Sequence, residues 1–441
     1  METLLNLLPL AIIGGIYLSY QRKNRHSFGP VSFIIMSYVV MLVLSVILGI
    51  MGKTASTYEL ELIPILFISF CLAISFWGFH PYKDYRVLAL RIENLPLFNL
   101  VEKGMLVLSA LSIVYFSPFA IAALSGDIKA NRENLRLISE SLGSWGMFNS
   151  LCTLVANMFV LNIVCAFVNL CPAFSVRRFS KLKALCLLLS STSYIVYVLA
   201  YVGRDGFIYW VMTFVFVYLL FKDFIAIESR MVIRRLAFLI GLLAFVPFSA
   251  ITYHRFSDAE EEMLVSVLQY GGMQIHHFND QFLAFSEPQW GRINFPVVYD
   301  LSTNVFGDGP GEFDRYEWFR LYTVLDVIPW MFSTWVGALV FDFGYYVTPL
   351  VILLIAVMSR LSLRGIATEG VLSISQLLIL LICAQVVLYG VFYFRQYSTN
   401  YYLLVMMVLS GMFHLGSSRN SSLLLLRADS QKDLSRKAWQ G

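Results

Sequence analysis

The sequence predicts an all-α, polytopic membrane protein. Of its 441 residues, 58% are apolar and only 14% are Asp, Glu, Lys or Arg, and the mean hydropathy is +0.71. Soluble domains usually carry about 25% charged residues. A soluble fold of this length cannot bury that much apolar surface and still present a charged exterior. The composition therefore excludes a disordered chain, a disulfide-stapled secreted domain and an ordinary cytosolic enzyme.

Apolar segments long enough to cross a bilayer predict about eleven transmembrane helices, with ten and twelve as the neighbouring counts. A hydrocarbon core of about 30 Å takes about 20 residues of helix. Helices are expected because lipid offers no partner to an unpaired backbone group. The fifth and ninth segments are long enough to tilt or break. The segments are 3–20, 31–51, 60–79, 105–125, 147–174, 184–202, 206–221, 236–252, 331–358, 371–392 and 399–415.

The distribution of basic residues predicts the orientation. One alternate set of connections holds 22 of the 32 Lys and Arg residues. The positive-inside rule therefore places the N-terminus outside and the C-terminus in the cytoplasm. The predicted organisation is helices one to eight over 1–252, a large external loop over 253–330, helices nine to eleven over 331–415, and a cytoplasmic tail over 416–441.

The loop 253–330 is the largest polar segment, and short helices are expected within it. It carries twelve acidic residues and four basic residues, and all four basic residues are Arg. Loops of this length usually carry function when they are ordered. The loop can build a polar cavity above the bilayer that receives a hydrophilic head group on a lipid tail. The alternative is that an acidic loop is simply soluble outside the membrane.

Ionisable residues within or beside apolar spans are candidates because charge in hydrocarbon is costly and usually functional. Arg204 and Asp205 lie in the turn Gly203–Gly206, where glycines allow a backbone to approach a ligand closely. Asp342 lies in the ninth apolar segment, and Arg395 in a turn after the tenth. For each of them the alternative is a structural ion pair.

Four arginines are predicted on the outer side of the membrane: Arg204, Arg255, Arg292 and Arg395. The planar guanidinium fork binds phosphate oxygens bidentately and stays charged in a low-dielectric site. The sequence therefore predicts that these side chains converge on one anion.

The segment 270–279 adds neutral groups suited to proton transfer and hydroxyl recognition. His276 or His277 can accept a proton from a hydroxyl nucleophile, and Gln274 and Asn279 can orient sugar hydroxyls. Adjacent helical residues point about 100° apart, so one histidine at most is expected to face a given site. The alternative is an exposed pair of histidines without a role. No metal site and no cofactor is predicted, because the six cysteines lack metal-ligand spacing and no nucleotide-binding motif occurs.

Seven short segments between about 200 and 350 form a recognisable series. They are Gly203–Gly206, Tyr253–Ser257, Leu268–Gly272, His277–Asn279, Gly291–Pro296, Thr334–Gly337 and Asp342–Gly344. With this series the sequence resembles the bacterial oligosaccharide repeat-unit polymerases, the Wzy-type O-antigen and capsule polymerases. The Arg-rich repeated loop signature of some members is absent, so the residue roles known for that signature are not carried over.

The resemblance implies the architecture of the C-type membrane glycosyltransferases and an enzyme of the bacterial cytoplasmic (inner) membrane. Such an enzyme moves a growing glycan from one undecaprenyl-diphosphate carrier to a second lipid-linked repeat unit at the outer face, without a nucleotide sugar. The implied partners are the lipid-linked oligosaccharide, the bilayer, and a chain-length regulator and flippase of the same pathway, but no nucleic acid.

In this reaction arginines neutralise the departing diphosphate, and His254, His276, His277 or Asp205 is the base. The expected catalytic residues are Arg204, Asp205, His254, Arg255, His276 and His277. The expected substrate-binding residues are Gln274, Asn279, Arg292, Asp342 and Arg395.

Two other functions remain open at this point. An O-antigen ligase also has many spans and one large outer loop, and it attaches finished glycan to lipid A core. A transporter or flippase of lipid-linked oligosaccharide is the alternative from another class. It needs a polar path through the bilayer, whereas most of the predicted spans lack ionisable residues.

Overall fold

The computed structural model describes most of the chain. Arg204 and Arg395 lie outside the described residues, as do the side chains of His254 and Arg255 and a large part of the predicted outer loop. The described ranges are 2–23, 28–54, 56–80, 89–125, 146–171, 180–203, 205–225, 227–256, 263–285, 287–299, 332–394, 400–417 and 424–427.

Helices make up most of the described chain, and three short strands accompany them. The helices are α1 Glu2–Lys23, α2 Pro30–Met51, α3 Leu62–Gly78, α4 Leu95–Leu124, α5 Met147–Asn157, α6 Phe159–Asn169, α7 Ser180–Ser190, α8 Ser193–Ala200, α9 Asp205–Phe221, α10 Ile227–Phe256, α11 Met263–Gly272, α12 Gln274–Ala284, α13 Thr334–Ser362, α14 Arg364–Glu369, α15 Ile374–Tyr389 and α16 Asn400–Ser417. The strands are β1 Ala89–Ile92, β2 Val371–Ser373 and β3 Leu424–Arg427.

The helices confirm a multi-pass membrane protein. Within the described ranges, six helices are long and apolar enough to cross a membrane, or seven crossings result if the bent pair α5–α6 counts as one. Four shorter apolar helices lie in α3, α9, α15 and α16. Each of the predicted apolar segments coincides with one of these helices or helix pairs. The predicted loop 253–330 contains the short helices α11 and α12.

The two longest predicted segments do break. The fifth is interrupted at Met158, where α5 and α6 meet at a bend of 48°. The ninth is interrupted inside α13 at Gly344, whose φ of 69° and ψ of −177° are not helical. Glycine tolerates this left-handed conformation because it has no Cβ. Both breaks thus lie in segments for which the sequence leaves a tilt or a break open.

Helix α4 begins at Leu95 rather than at the predicted residue 105. The side chain of Asn94 accepts a hydrogen bond from the backbone N–H of Leu97 at 3.0 Å, and Pro96 occupies the first turn. An Asn cap followed by proline is a strong helix start. The extra turns carry Glu102 into the helix, although the sequence analysis assigned it to a connection.

The three strands form a small sheet that the sequence analysis did not predict. β1 is central, pairs in parallel with β2 and pairs antiparallel with β3. Leu90 lies opposite Leu372 on one side and Leu426 on the other. The sheet thus joins three connections that are far apart in the sequence.

The chain divides into two compact units. The first unit comprises Met1–Arg86, Glu261–Glu369 and Gln376–Val408, and the second comprises Val87–Glu260, Gly370–Ser375 and Leu409–Gly441.

Close helix contacts build the first unit. α3 packs against α13 so tightly that a Cβ at Gly78 would lie 2.7 Å from the Cα and O atoms of Ala356. α11 packs against α2, where a Cβ at Gly272 would lie 2.7 Å from the backbone of Leu44. Close backbone approach through small residues is how helices associate in lipid. α12 lies against α2, α3 and α13.

In the second unit α4 is the long helix that the others pack against. It contacts α5, α6, α7 and α8. Phe116 and Ala120 of α4 pack with Cys152 and Ala200 in a buried cluster. The hydroxyl of Ser112 donates a hydrogen bond to the backbone O of Cys152 at 3.0 Å. The hydroxyl of Ser112 thus has its partner on α5, inside the unit.

The contact at Gly78 gives a test of this packing. Gly78→Ala is expected to lower the free energy of unfolding by about 1–3 kcal/mol, because the new Cβ meets backbone atoms that cannot turn away. The control is Gly15→Ala on α1, whose added Cβ would meet nothing within 4 Å; it should be neutral or stabilising. Denaturant titration of the detergent-solubilised protein measures both. Equal stability of the two variants would contradict the packing.

Candidate functional site

Helix α12 is polar and yet buried. From Gln274 to Gln281 most of its side chains can form hydrogen bonds. Nevertheless α2, α3 and α13 pack against it. Burial of so many polar groups is costly unless they find partners. The polar side chains that are at most 4% exposed are Gln274, His276, His277, Asn279, Asp280 and Gln281.

His276 is part of a hydrogen-bonded chain that reaches two membrane helices. The side-chain N–H of Asn6 lies 3.5 Å from Nε2 of His276, and it also donates to the backbone O of Ser45 at 2.9 Å. The hydroxyl of Ser45 donates to Oδ1 of Asn6 at 2.9 Å. Because an amide nitrogen only donates, Nε2 of His276 is the acceptor and its proton sits on Nδ1. Polar residues here link α12 with α1 and α2.

Asn279 and Asp280 hold the segment between α2 and α3. The amide of Asn279 accepts from the N–H of Glu61 at 2.9 Å and donates to the O of Glu59 at 3.0 Å. The carboxylate of Asp280 accepts from the hydroxyl of Ser56 and from two backbone N–H groups, those of Thr57 and Tyr58. Asn279 was predicted to orient sugar hydroxyls. In the structure its amide groups already serve the protein's own backbone.

Burial sets the protonation of both histidines. Each is 1% exposed, so the expectation of an exposed pair is wrong. Burial lowers the pKa of His276 from 6.5 to about 4. Burial, and after it the charge of His276, lowers the pKa of His277 to about 3. Both are neutral at pH 7, but bases this weak are poorly matched to proton abstraction near neutral pH.

The carboxylate of Asp342 accepts hydrogen bonds from three backbone N–H groups of a single loop. Its Oδ1 accepts from the backbone N–H groups of Gly291 at 3.0 Å and Ile293 at 3.2 Å, and its Oδ2 accepts from Asn294 at 2.8 Å. The N–H of Trp290 donates to the backbone O of Asp342 at 2.6 Å. A buried carboxylate with these partners needs no cation nearby. The ion pair considered for Asp342 is therefore replaced by backbone donors.

The loop held by Asp342 carries Arg292 and an exposed aromatic residue. Arg292 is half-buried, and Trp290 is 65% exposed. Trp290 and Gly291 have φ values of 55° and 90°, and Gly344 beside the carboxylate has 69°. Left-handed conformations are rare for a bulky residue and persist only where the surroundings fix them. Arg292 and Asp342 thus belong to one local structure, in which Asp342 holds the loop that carries Arg292.

Two glycines at the start of α9, Gly203 just before the helix and Gly206 in its first turn, have a packing role. A Cβ at Gly203 would lie 2.5 Å from the side chain of Val198, and a Cβ at Gly206 would lie 2.6 Å from it. The expectation that these glycines make room for a ligand is thus replaced by close packing on α8. Asp205 begins α9 and is half-buried.

The predicted convergence of arginines stays a prediction. Arg204 and Arg395 lie outside the described residues, and for His254 and Arg255 only the backbone, in the last turn of α10, is described. Arg292 belongs to the first unit, together with α12 and Asp342. Asp205, His254 and Arg255 belong to the second.

The ion pair between Glu102 and Lys183 in the second unit was not predicted from the sequence. Glu102 of α4 is 1% exposed and accepts hydrogen bonds from Asn169 of α6 and Lys183 of α7. The Lys183 side chain is 31% exposed, so the pair lies near the edge of the unit. The pair joins α4 and α7, and Asn169 adds α6; removing one member of the pair leaves a charge uncompensated. The Asn94–Pro96 helix start was the signal that could have placed Glu102 inside a span.

Metal-ligating residues are scattered through the described part of the chain. Within it, no group of three or more His, Cys, Asp or Glu side chains is placed to hold a metal ion. The six cysteines are free thiols, five of them buried and Cys186 partly so.

Comparisons of the chain with protein-family models, with curated protein sequences and with solved structures find no match.

The buried histidines predict a loss of stability in acid. Between pH 6.5 and about 4 the unfolded chain binds protons that the folded chain does not. Each histidine therefore removes about 1.4 kcal/mol per pH unit of stability as the pH falls. The thermal unfolding midpoint of the wild type should fall as the pH is lowered from 7 to 4.5. In His276→Gln it should fall less steeply over the same range.

The control is His414→Gln, because His414 is exposed on α16. It should keep the wild-type dependence on pH. Thermal unfolding in detergent, followed by circular dichroism, measures the three proteins. A slope in His276→Gln as steep as in the wild type would show that His276 is not held neutral by burial.

Proposed function

We propose that the protein polymerises undecaprenyl-diphosphate-linked oligosaccharide repeat units into O-antigen or capsular polysaccharide at the outer face of the bacterial cytoplasmic membrane. The observation that supports this proposal is the set of hydrogen bonds between the Asp342 carboxylate and the loop Trp290–Asn294. Two segments of the resemblance, Gly291–Pro296 and Asp342–Gly344, are some 50 residues apart in the sequence and are joined by direct hydrogen bonds. The resemblance is thus carried by residues that form one local structure with an arginine on it.

The sheet supports a topology of eleven crossings. In that topology β1, β2 and β3 follow the third, ninth and eleventh crossings, and hydrogen-bonded strands must lie on one side of a membrane. Counting only the seven long crossings puts five of them between β1 and β2, an odd number that separates paired strands. With α5–α6 as one crossing, a crossing by the short helix α9 restores an even number and supports the proposed count of eleven. The paired connections are those that the basic residues place in the cytoplasm.

A second pairing agrees with this topology inside the first unit. Asn279 and Asp280 bind the segment between α2 and α3. That segment follows the second crossing and α12 follows the eighth, so an even number of crossings separates them. Both then lie outside, together with Arg292.

The chemistry asks for positive charge and a base. The hydroxyl oxygen of the acceptor sugar forms a new bond to the anomeric carbon of the donor glycan, and the bond from that carbon to the diphosphate breaks. The hydroxyl proton goes to a protein base, and the lipid diphosphate leaves with its charge. Arg292, the candidate arginine whose side chain the structure describes, binds that diphosphate. The burial of His276 and His277 makes both of them poor candidates for the base.

Substitution of Arg292 tests this function. In cells that lack the native gene, Arg292→Ala is expected to leave single repeat units on the surface, because the departing diphosphate is no longer neutralised. Arg292→Lys should retain part of the chain length, because it keeps the charge and loses the bidentate fork. A gel of the surface polysaccharide reads out the length, and Arg235→Ala on the exposed side of α10 is the control.

The gel separates the alternatives. Loss of a polymerase leaves single units attached to the surface. Loss of a ligase removes even single units, and loss of a transporter leaves lipid-linked units inside the cell. Wild-type chain length in Arg292→Ala, with the protein present in the membrane, contradicts the proposed role of Arg292.

A further inference from the structure

Trp290 is a large aromatic residue that the first unit holds outside its core. Its side chain is 65% exposed. The indole ring makes no aromatic contact and no hydrogen bond with any part of the chain that the structure describes. Nearby rings behave differently: Phe295, five residues on, packs against Phe343 and Phe394 with ring centroids 5.7 and 5.0 Å apart.

The backbone under Trp290 is fixed from several directions. Its φ of 55° is unfavourable for a residue with a bulky side chain. The N–H of Trp290 donates to the O of Asp342, and the next N–H, that of Gly291, donates to Oδ1 of the same residue. The amide of Asn294 donates to the O of Ala338 at 2.8 Å and closes the loop on α13. These bonds hold a conformation that turns the indole away from the core.

Strain of this kind is informative where the side chain itself gains nothing from it. Left-handed residues cluster at binding sites because the surrounding structure maintains them for a purpose. A loop that only had to cover Asp342 could place a glycine or asparagine at position 290 without strain. The exposed indole is therefore the feature that needs an explanation.

The neighbours of Trp290 indicate a polar ligand. Gln289 precedes it and is half-buried, with its side-chain N–H donating to the O of Glu287 at 3.3 Å. Arg292 follows two residues later. Positions 289–292 thus carry an aromatic face and hydrogen-bond donors on one short loop, a composition that suits a ring with an apolar face and a hydroxylated edge. Acyl chains offer no acceptors to such donors.

We propose that Trp290 is a stacking platform for a pyranose ring of the lipid-linked substrate, held in place by the hydrogen bonds to Asp342. The axial C–H groups of a pyranose carry partial positive charge, and they pack on the negative face of an indole. Arg292, on the same loop, then meets the diphosphate next to that sugar. This site rests on the proposed function, because it names the sugar contact of the same substrate.

Binding measurements on the full-length protein in nanodiscs test the platform with two probes. One probe is the lipid-linked oligosaccharide extracted from cells that lack the protein. The other is undecaprenyl diphosphate without any sugar. Trp290→Ala is expected to weaken binding of the extracted oligosaccharide lipid about tenfold, the loss of one well-packed aromatic contact. Binding of the sugar-free lipid should stay at the wild-type value.

Two further variants make the result specific. Trp290→Phe keeps an aromatic face and should retain most of the affinity for the oligosaccharide lipid. Tyr346→Ala is the matched control, because Tyr346 is also an exposed aromatic of the first unit, 90% exposed on α13 beyond Gly344. It should bind both probes as the wild type does.

The outcomes distinguish failure of the stacking platform from failure of the proposed function. Wild-type affinity of Trp290→Ala for the oligosaccharide lipid overturns the platform while the proposed function stands. Equal weakening for both probes also overturns it, because Trp290 then anchors the loop in the bilayer rather than contacting sugar. If the wild type binds neither probe, the proposed function fails and the platform fails with it.

Discussion

The carboxylate of Asp342 accepts hydrogen bonds from the backbone N–H groups of Gly291, Ile293 and Asn294 in the interior of the first unit. Asp342 is 0% exposed, and an ionised carboxylate at such a place is unfavourable unless donors surround it. The loop has the matching need, because its N–H groups point inward and require acceptors. The loop supplies the donors that the carboxylate needs, and the carboxylate supplies the acceptors that the loop needs. These hydrogen bonds fix the backbone that carries Trp290 and Arg292.

The same logic governs α12, where burial decides which residues remain for chemistry. Asn279 and Asp280 bind the backbone between α2 and α3, and His276 meets Asn6. These groups are bound to the protein itself, and burial keeps the two histidines neutral and weakly basic. Of the candidates with a described side chain, Arg292 and Asp205 are those that are partly exposed. The proposed function therefore uses Arg292, rather than the residues of α12, to bind the charge of the substrate.

Sequence reasoning located the helices because bilayer crossing leaves a long apolar signal. It also identified the two segments that are long enough to tilt or break, but not the positions of the breaks at Met158 and Gly344. It did not find β1, since a strand of four residues has no periodicity to detect. It could not pair Asp342 with Gly291, because a carboxylate that binds backbone N–H groups needs no partner of a particular side-chain type. Likewise the many polar residues of α12 are typical of a surface helix, and only its tertiary packing shows that it is buried. Position 102 was misplaced for a local reason, the overlooked helix start at Asn94.

Hydrogen–deuterium exchange read by mass spectrometry in the wild type and in Asp342→Asn tests the union of loop and carboxylate most directly. Asparagine places a donor where an acceptor is needed, so amide hydrogens in 289–295 should exchange at least about tenfold faster in the variant. The segment 57–61, whose N–H groups bind Asn279 and Asp280, should keep its wild-type rate. Unchanged exchange over 289–295, or equal acceleration in both segments, would contradict the account that Asp342 specifically holds this loop.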